Sequence, residues 1–327
     1  MRTNFVKPYL GPRDLLNLFK GRGLLIPDDS EVYDALIRMG YYRLTGYCQP
    51  LQKIHSLNPH DFIEGTQFAD IMTLYHLDTE IRGLMSEALE KLEIALRTSI
   101  CESMCSQYGT HWYMVASSFE VGKHEAIFTE AAKSVDFNLE QNRHYKQDEP
   151  EKKSRSLFLD HYYDNYNNPL MPVAWMLREL ASFGFWARTY QALKEQDQKQ
   201  ITQYWKNPDG KKLNHELLGS WLWSISILRN RCAHHSRIIN RRFPYPPKLP
   251  DNASSKQLFY SKTDDLRTLL VIVSILCASA DPQYQFNKKL LQIVKKYGSK
   301  VDLEKSLGLG LERKETWEDT IFWKDRT

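Results

Sequence analysis

An all-α fold is predicted for this chain of 327 residues by two features of its pattern. Apolar residues recur at i, i+3 and i+4 over long stretches, whereas alternating, strand-type runs are scarce and no repeat of solenoid length is evident. Composition agrees with a packed helical protein: 42% hydrophobic and 26% charged residues, with only 15 Gly and 14 Pro, exclude collagen-like, mucin-like and wholly disordered classes. The 8 Trp, 18 Tyr and 14 Phe are assigned mainly to the core, where burying ring area is their commonest use.

In chain order, short helical patterns run from Arg13 to Lys20 and from Asp29 to Met39. Asp28, Asp29 or Ser30 can cap the second and Gly40 can stop it. The aromatic string Gly40-Tyr-Tyr-Arg-Leu-Thr-Gly-Tyr-Cys48 follows. From Phe68 to about Tyr108, Leu77, Ile81, Leu84, Met85, Ala88, Leu89, Leu92, Ala95 and Leu96 share one helical face, and Gly109 ends the segment. The pattern weakens between Ser117 and Ser156, and the charged stretch 141–155 around Pro150 is expected to be an exposed connection or a solvated helix end. Helical character returns over Pro172–Leu193, with Trp175, Met176, Leu180, Phe183 and Trp186 as the apolar stripe and Gly184 marking a close helix approach or a kink. Another helical face, Leu218, Trp221, Leu222, Ile225, Leu228 and Cys232, lies in the segment from Glu216 to about Arg237, and the prolines of Phe243-Pro-Tyr-Pro-Pro247 end any helix. Buried Asp264–Ala280 and shorter Phe286–Tyr297 complete the set. The basic stretch Lys288–Lys300 is expected to be a solvated helix face. This division gives a helical N-terminal module at 1–66, a larger helical domain at 67–300 and a C-terminal tail at 301–327 packing on it.

Five widely spread cysteines, an odd number, fit a reducing cytoplasmic setting. Cys101 and Cys105 are expected to be small helix-packing residues. The N-terminus has no continuous apolar run, and Leu269–Ala280 is shorter than the ~20 residues of a membrane span, so no signal peptide and no membrane partner are expected.

Formal charge is only +4, yet Arg229-Asn-Arg-Cys-Ala-His-His-Ser-Arg-Ile-Ile-Asn-Arg-Arg242 holds five arginines and two histidines, and no acid occurs from Leu217 to Pro250. A local positive field of this kind suits a polyanion. Arginine holds phosphate by bidentate hydrogen bonds, and histidine exchanges protons near neutrality, a combination suited to phosphodiester cleavage. On a helix Asn230 and His234 are i, i+4 neighbours, whereas Arg229 and His234 lie about 140° apart around the axis. One copy of the motif therefore makes an incomplete site, and pairing of two copies is an attractive completion. The plainer alternative is a polar helix end, its cations favoured by the C-terminal dipole and an arginine stem packed on Trp223 or Tyr245. A metal site from Cys232, His234 and His235 is a weaker alternative, because no fourth ligand is evident.

Leu228-Arg-Asn-Arg-Cys-Ala-His-His-Ser-Arg237 resembles the Arg-Asn-x-x-x-His signature of HEPN ribonucleases, specifically the Abi family of bacterial abortive-infection proteins of the AbiD/AbiF type. Further segments resemble that family in the same order: Gly40–Tyr47, Leu74-Tyr-His-Leu-Asp78, Leu92-Glu-Ile-Ala-Leu-Arg-Thr98, Tyr108-Gly109 with Trp112-Tyr113, Ser182-Phe-Gly184 and Trp317-Glu-Asp319. The resemblance implies a HEPN-type helical bundle and a homodimer that completes a composite endoribonuclease centre needing neither cofactor nor metal. It also implies cleavage by the neighbouring 2′-OH, an anti-phage or toxin-type role, RNA as substrate and a regulatory non-coding RNA as a plausible partner. Carried over, Arg229 binds the scissile phosphate, His234 is the acid/base residue and Asn230 orients them. His235 adjoins His234 and could replace it. Arg231, Arg237, Arg241 and Arg242 are candidate RNA-backbone contacts or structural residues, and Arg43 could bind RNA or join helices. Arg82 and Arg97, in the family-like segments, could equally be i, i+4 ion-pair partners of Asp78 and Glu93, a common surface arrangement. A non-catalytic RNA-binding scaffold of the same fold is the competing function.

Overall fold

The computed structural model describes residues 4, 6, 8–53, 58, 60–148, 156–207, 210–250, 259 and 264–308, with backbone only at 139–148 and 304. Trp317-Glu-Asp319, most of the expected tail and the 149–155 part of the charged connection lie outside the described residues. The protein is all-α, with thirteen α-helices and no sheet among the described residues. None of these helices is long and apolar enough to cross a membrane.

Three short helices come first: α1 (Pro12–Gly21), α2 (Asp29–Met39) and α3 (Tyr41–Cys48). Asp28 starts α2 by accepting the Ser30 N–H at 2.8 Å. Gly40 separates α2 from α3 at φ 81°, a conformation that side-chain-bearing residues resist. The predicted long segment is one uninterrupted helix, α4 (Phe68–Tyr108), stopped by Gly109 at φ 87°. At 41 residues it spans about 60 Å, and it forms the spine against which α3 and the later helices at 215–233, 266–280 and 286–297 pack.

The weakly patterned region contains a helix that periodicity did not reveal, α5 (His124–Asp148), and α6 (Leu157–Asn165) begins just after that region. Helix α5 buries Ile127, Ala131 and Val135, every fourth residue, while polar positions dilute the signal between them. Its helical backbone covers 141–148 of the charged stretch.

Pro172–Leu193 is two helices, α7 (Ala174–Leu180) and α8 (Phe183–Ala192). The break comes at Ala181-Ser182, both extended, where the Ser182 hydroxyl accepts the Phe185 N–H at 3.2 Å. Gly184 is therefore neither kink nor close helix approach, and a Cβ there would meet the end of the Arg188 side chain at 3.3 Å and the Ser182 hydroxyl at 3.8 Å. The close approach is at Gly219, where a Cβ would lie 3.3 Å from the Tyr190 ring. Trp175 leaves the expected stripe and is exposed. Replacing Ser182 by alanine is expected to cost about 1 kcal/mol in thermal unfolding, with Ser182→Thr losing less, because only the alanine leaves the Phe185 N–H without its cap.

Helix α9 (Glu195–Ile201) leads to α10 (His215–Ala233), which packs on both α4 and α8. Helix α11 (Leu266–Ala280) is buried from Leu266 through Cys277 and begins at Asp265, whose carboxylate accepts the Thr268 N–H at 3.0 Å. Helices α12 (Phe286–Tyr297) and α13 (Leu303–Leu307) follow. The basic face of α12 lies along α4, with Lys289 on Glu87 at 2.6 Å and Lys296 on Glu80 at 2.5 Å.

Candidate active site

Helix α10 starts at Asn214, whose side-chain oxygen accepts the Glu216 and Leu217 N–H groups. Leu218, Trp221, Leu222, Ile225, Leu228 and Cys232 face the core as predicted. That anchoring leaves Asn230, Ala233 and His234 exposed near the C-terminal end of the helix, with Arg229 half-buried beside them. The helix stops at Ala233, earlier than the expected Arg237. Its end is a Schellman motif: the Ser236 N–H donates to the Arg231 carbonyl at 2.9 Å and the His235 N–H to that of Cys232 at 3.0 Å. His234 is the C-cap, its N–H on the Asn230 carbonyl at 3.0 Å, and His235 takes the left-handed position at φ 52°. The adjacent histidines thus have different backbone roles.

Arg229 donates from Nε to Glu93 Oε2 at 3.3 Å, across from α10 to α4. The other oxygen of Glu93 pairs with Arg97, which also donates to the Ala181 carbonyl at 2.8 Å, at the break between α7 and α8. The Glu93–Arg97 pair is not the expected surface pair. Glu93 is buried and Arg97 nearly so, because residue 93 lies on the same face as Leu89 and Leu96. Burial pushes the Arg97 guanidinium below its ordinary value, and the Glu93 carboxylate opposes that shift. No hydrogen bond joins the side chains of Arg229, Asn230 and His234 among the described residues.

The Asp78–Arg82 pair is likewise buried, and it organises the chain leaving the motif. Asp78 Oδ1 accepts the backbone N–H groups of Ile238 and Ile239 at 2.9 and 3.0 Å, while Oδ2 receives the Tyr47 hydroxyl at 2.7 Å and the Arg82 guanidinium. Three separated segments meet on one carboxylate: α3, α4 and the stretch after α10.

The remaining arginines divide by environment. Arg43 donates to the His235 carbonyl, so α3 grips the end of the motif helix. Arg237 bonds the Ile239 and Asn240 carbonyls at 3.2 Å and Gln49 at 3.3 Å, and its stem runs against Gly46, which makes it structural. Arg231 lies over the Phe243 ring at 5.7 Å, where a stem on Trp223 or Tyr245 was the plainer expectation; those two rings pack on each other instead. Arg242 pairs with Asp264 at 3.3 Å and is mostly exposed. Burial, then the charge of Arg241, pushes Arg231 and Arg237 below the ordinary guanidinium value. The acid-free stretch is thus partly answered by acids distant in sequence, and the positive field that survives lies around Arg231, Arg237 and Arg241. Glu93 was not singled out from the sequence as a site residue; its place on an apolar helix face was the available signal.

Cys232 is buried and its thiol is pushed up to about 11, while His234 and His235 are exposed. No group of three or more His, Cys, Asp or Glu among the described residues could hold a metal ion. Searches of curated proteins and of solved structures return no match. The family model described as Abi-like protein matches residues 34–240, from α2 through the end of the arginine–histidine motif. With most of the chain so matched, and the matched span holding Asp78, Glu93, Arg229 and His234 together with their partners, this chain belongs to the Abi-like protein family, which supports a role in abortive infection.

Proposed function

We propose that the protein is a metal-independent HEPN endoribonuclease of an abortive-infection or toxin-type system, its active centre completed by a second copy of the chain. The observation that carries this reading is the end of α10, where Asn230 and His234 stand exposed and Arg229 half-exposed, with no bond joining their side chains. A second motif facing this one supplies the groups that a single helix end cannot bring together. In the reaction the His234 imidazole of one copy accepts the 2′-OH proton, the 2′-oxygen attacks phosphorus, and the P–O5′ bond breaks as the 5′-oxygen takes a proton from the His234 imidazolium of the other copy. The products are a cyclic phosphate and a 5′-OH. Arg229 neutralises the phosphate, Asn230 orients the pair, and Arg231 and Arg241 extend the positive field along the RNA backbone. Free thiols at all five cysteines suit a reducing cytoplasm. A structured non-coding RNA is the regulator this reading favours, since an unrestrained ribonuclease is toxic.

The test incubates wild type and Arg229→Ala with end-labelled RNA in EDTA and identifies the termini. Wild type is expected to leave cyclic phosphate and 5′-OH ends, and the variant to cleave about 10²–10³-fold more slowly with its dimer intact by sedimentation. Binding without cleavage under every trigger tried identifies the scaffold function instead, and cleavage abolished by EDTA overturns the metal-independent mechanism.

A further inference from the structure

Glu93 is unlike the surface acids of α4. Glu80 and Glu87 each meet a lysine of α12 in solvent, whereas Glu93 is buried and takes an arginine on each oxygen, Arg97 on Oε1 and Arg229 on Oε2. The two arginines differ. Arg97 is held a second time, by the Ala181 carbonyl, and stays within the protein. Arg229 is engaged only through Nε among the described residues, and its side chain is 40% exposed.

We propose that Glu93 is a positioning residue for Arg229: its carboxylate anchors the guanidinium at Nε and leaves the two terminal nitrogens free to take a phosphodiester. The proposal rests on the assignment of Arg229 as the phosphate-binding residue. Geometry distinguishes positioning from blockade. An inhibitory carboxylate would take the terminal nitrogens, the fork that matches two phosphate oxygens, whereas Glu93 takes the one nitrogen at the base of that fork. Arg97 has the complementary part. It neutralises Glu93, so Arg229 keeps its net positive influence on an incoming phosphate, and it fixes Glu93 against the α7–α8 break. The arrangement also joins the family-like segment Leu92–Thr98, and through it Ala181 just before Ser182–Gly184, to the motif in space although none of these carries a reacting group.

The test uses the full chain with Glu93→Gln, which keeps length but presents an amide NH₂ to one arginine, and Glu80→Gln as a surface comparison. Rates are normalised to the folded fraction by circular dichroism. For Glu93→Gln, kcat for RNA is expected to fall about 10–100-fold, with KM changed less than about threefold, the signature of a displaced group rather than lost binding area. Glu80→Gln is expected to match wild type. A second readout is the Arg229 Nε–H resonance, identified by its loss in Arg229→Lys; it is expected to be protected from exchange in wild type and to lose that protection in Glu93→Gln. Cleavage by Glu93→Gln at or above the wild-type rate, or an unmoved Arg229 resonance, overturns positioning. A 2′-O-methyl oligoribonucleotide, which cannot be cleaved, separates this proposal from the ribonuclease assignment. If wild type cleaves no RNA but binds this probe, equal weakening of binding in Glu93→Gln and Arg229→Ala supports positioning, and no weakening in Glu93→Gln overturns it.

Discussion

Replacing Asp78 by alanine is expected to destabilise the protein by about 3–5 kcal/mol, the largest single-residue effect outside the hydrophobic core. Asp78 is fully buried and gives its oxygens to four donors: the Tyr47 hydroxyl, the Arg82 guanidinium and the Ile238 and Ile239 N–H groups. Alanine leaves a buried cation without a counter-charge and two backbone donors without an acceptor, and the neighbours have no water to turn to. For a two-state chain of this length the thermal midpoint falls by roughly 4–7 °C. Asp78→Asn is expected to lose less, since its amide oxygen still accepts the two backbone N–H groups while its NH₂ faces Arg82. A midpoint for Asp78→Ala within about 1 °C of wild type would show that these four bonds contribute little.

His234→Ala is expected to lower RNA cleavage by about 10²–10⁴-fold with unchanged stability, because its imidazole is exposed and the proposed acid–base chemistry uses that ring. His235→Gly provides the contrast. His235 serves through its backbone: it holds the left-handed position of the Schellman motif, and its carbonyl receives Arg43. Glycine keeps both roles and removes the strain of a side chain at φ 52°, so a gain of about 0.5–1 kcal/mol is expected with cleavage within about threefold of wild type. Rates and melts on the two variants assign the imidazole that adjacency in sequence leaves open. Loss of cleavage in His235→Gly with full activity in His234→Ala would reverse the assignment.

Much of the fold was legible because helices write their own boundaries locally. Residues 29–39, 68–108 and 286–297 are helical as the pattern indicates, since apolar periodicity, a capping side chain or a glycine marks their ends. Helix α5 was not legible, because Ile127, Ala131 and Val135, its buried residues among those described, make a weak period in a largely polar segment. The break at Ser182 was not legible because a serine within an apolar stretch can either cap a new helix or lie inside a continuous one, and the close approach sits instead at Gly219. Asp78–Arg82 and Glu93–Arg97 looked like surface pairs because i, i+4 spacing is shared by solvated and buried pairs alike. Position on the helix held the distinguishing signal: Asp78 follows Leu74 by four and precedes Ile81 by three, and Glu93 stands likewise between Leu89 and Leu96.

By itself, then, the sequence determined the all-α class, the long spine helix, the core face of α10 and the concentration of arginine and histidine at its end, because each depends on residues within a turn or two of one another. Tertiary structure decided where that motif stops, which arginines face solvent and which carboxylates restrain them. Arg229 meets Glu93 across 136 residues and Ile238 meets Asp78 across 160, and no local period encodes a contact of that range. Only the packing of α10 and α3 against α4 brings these partners to each other and takes the Glu93 and Asp78 carboxylates away from water, and the burial of those two carboxylates makes the pairing obligatory.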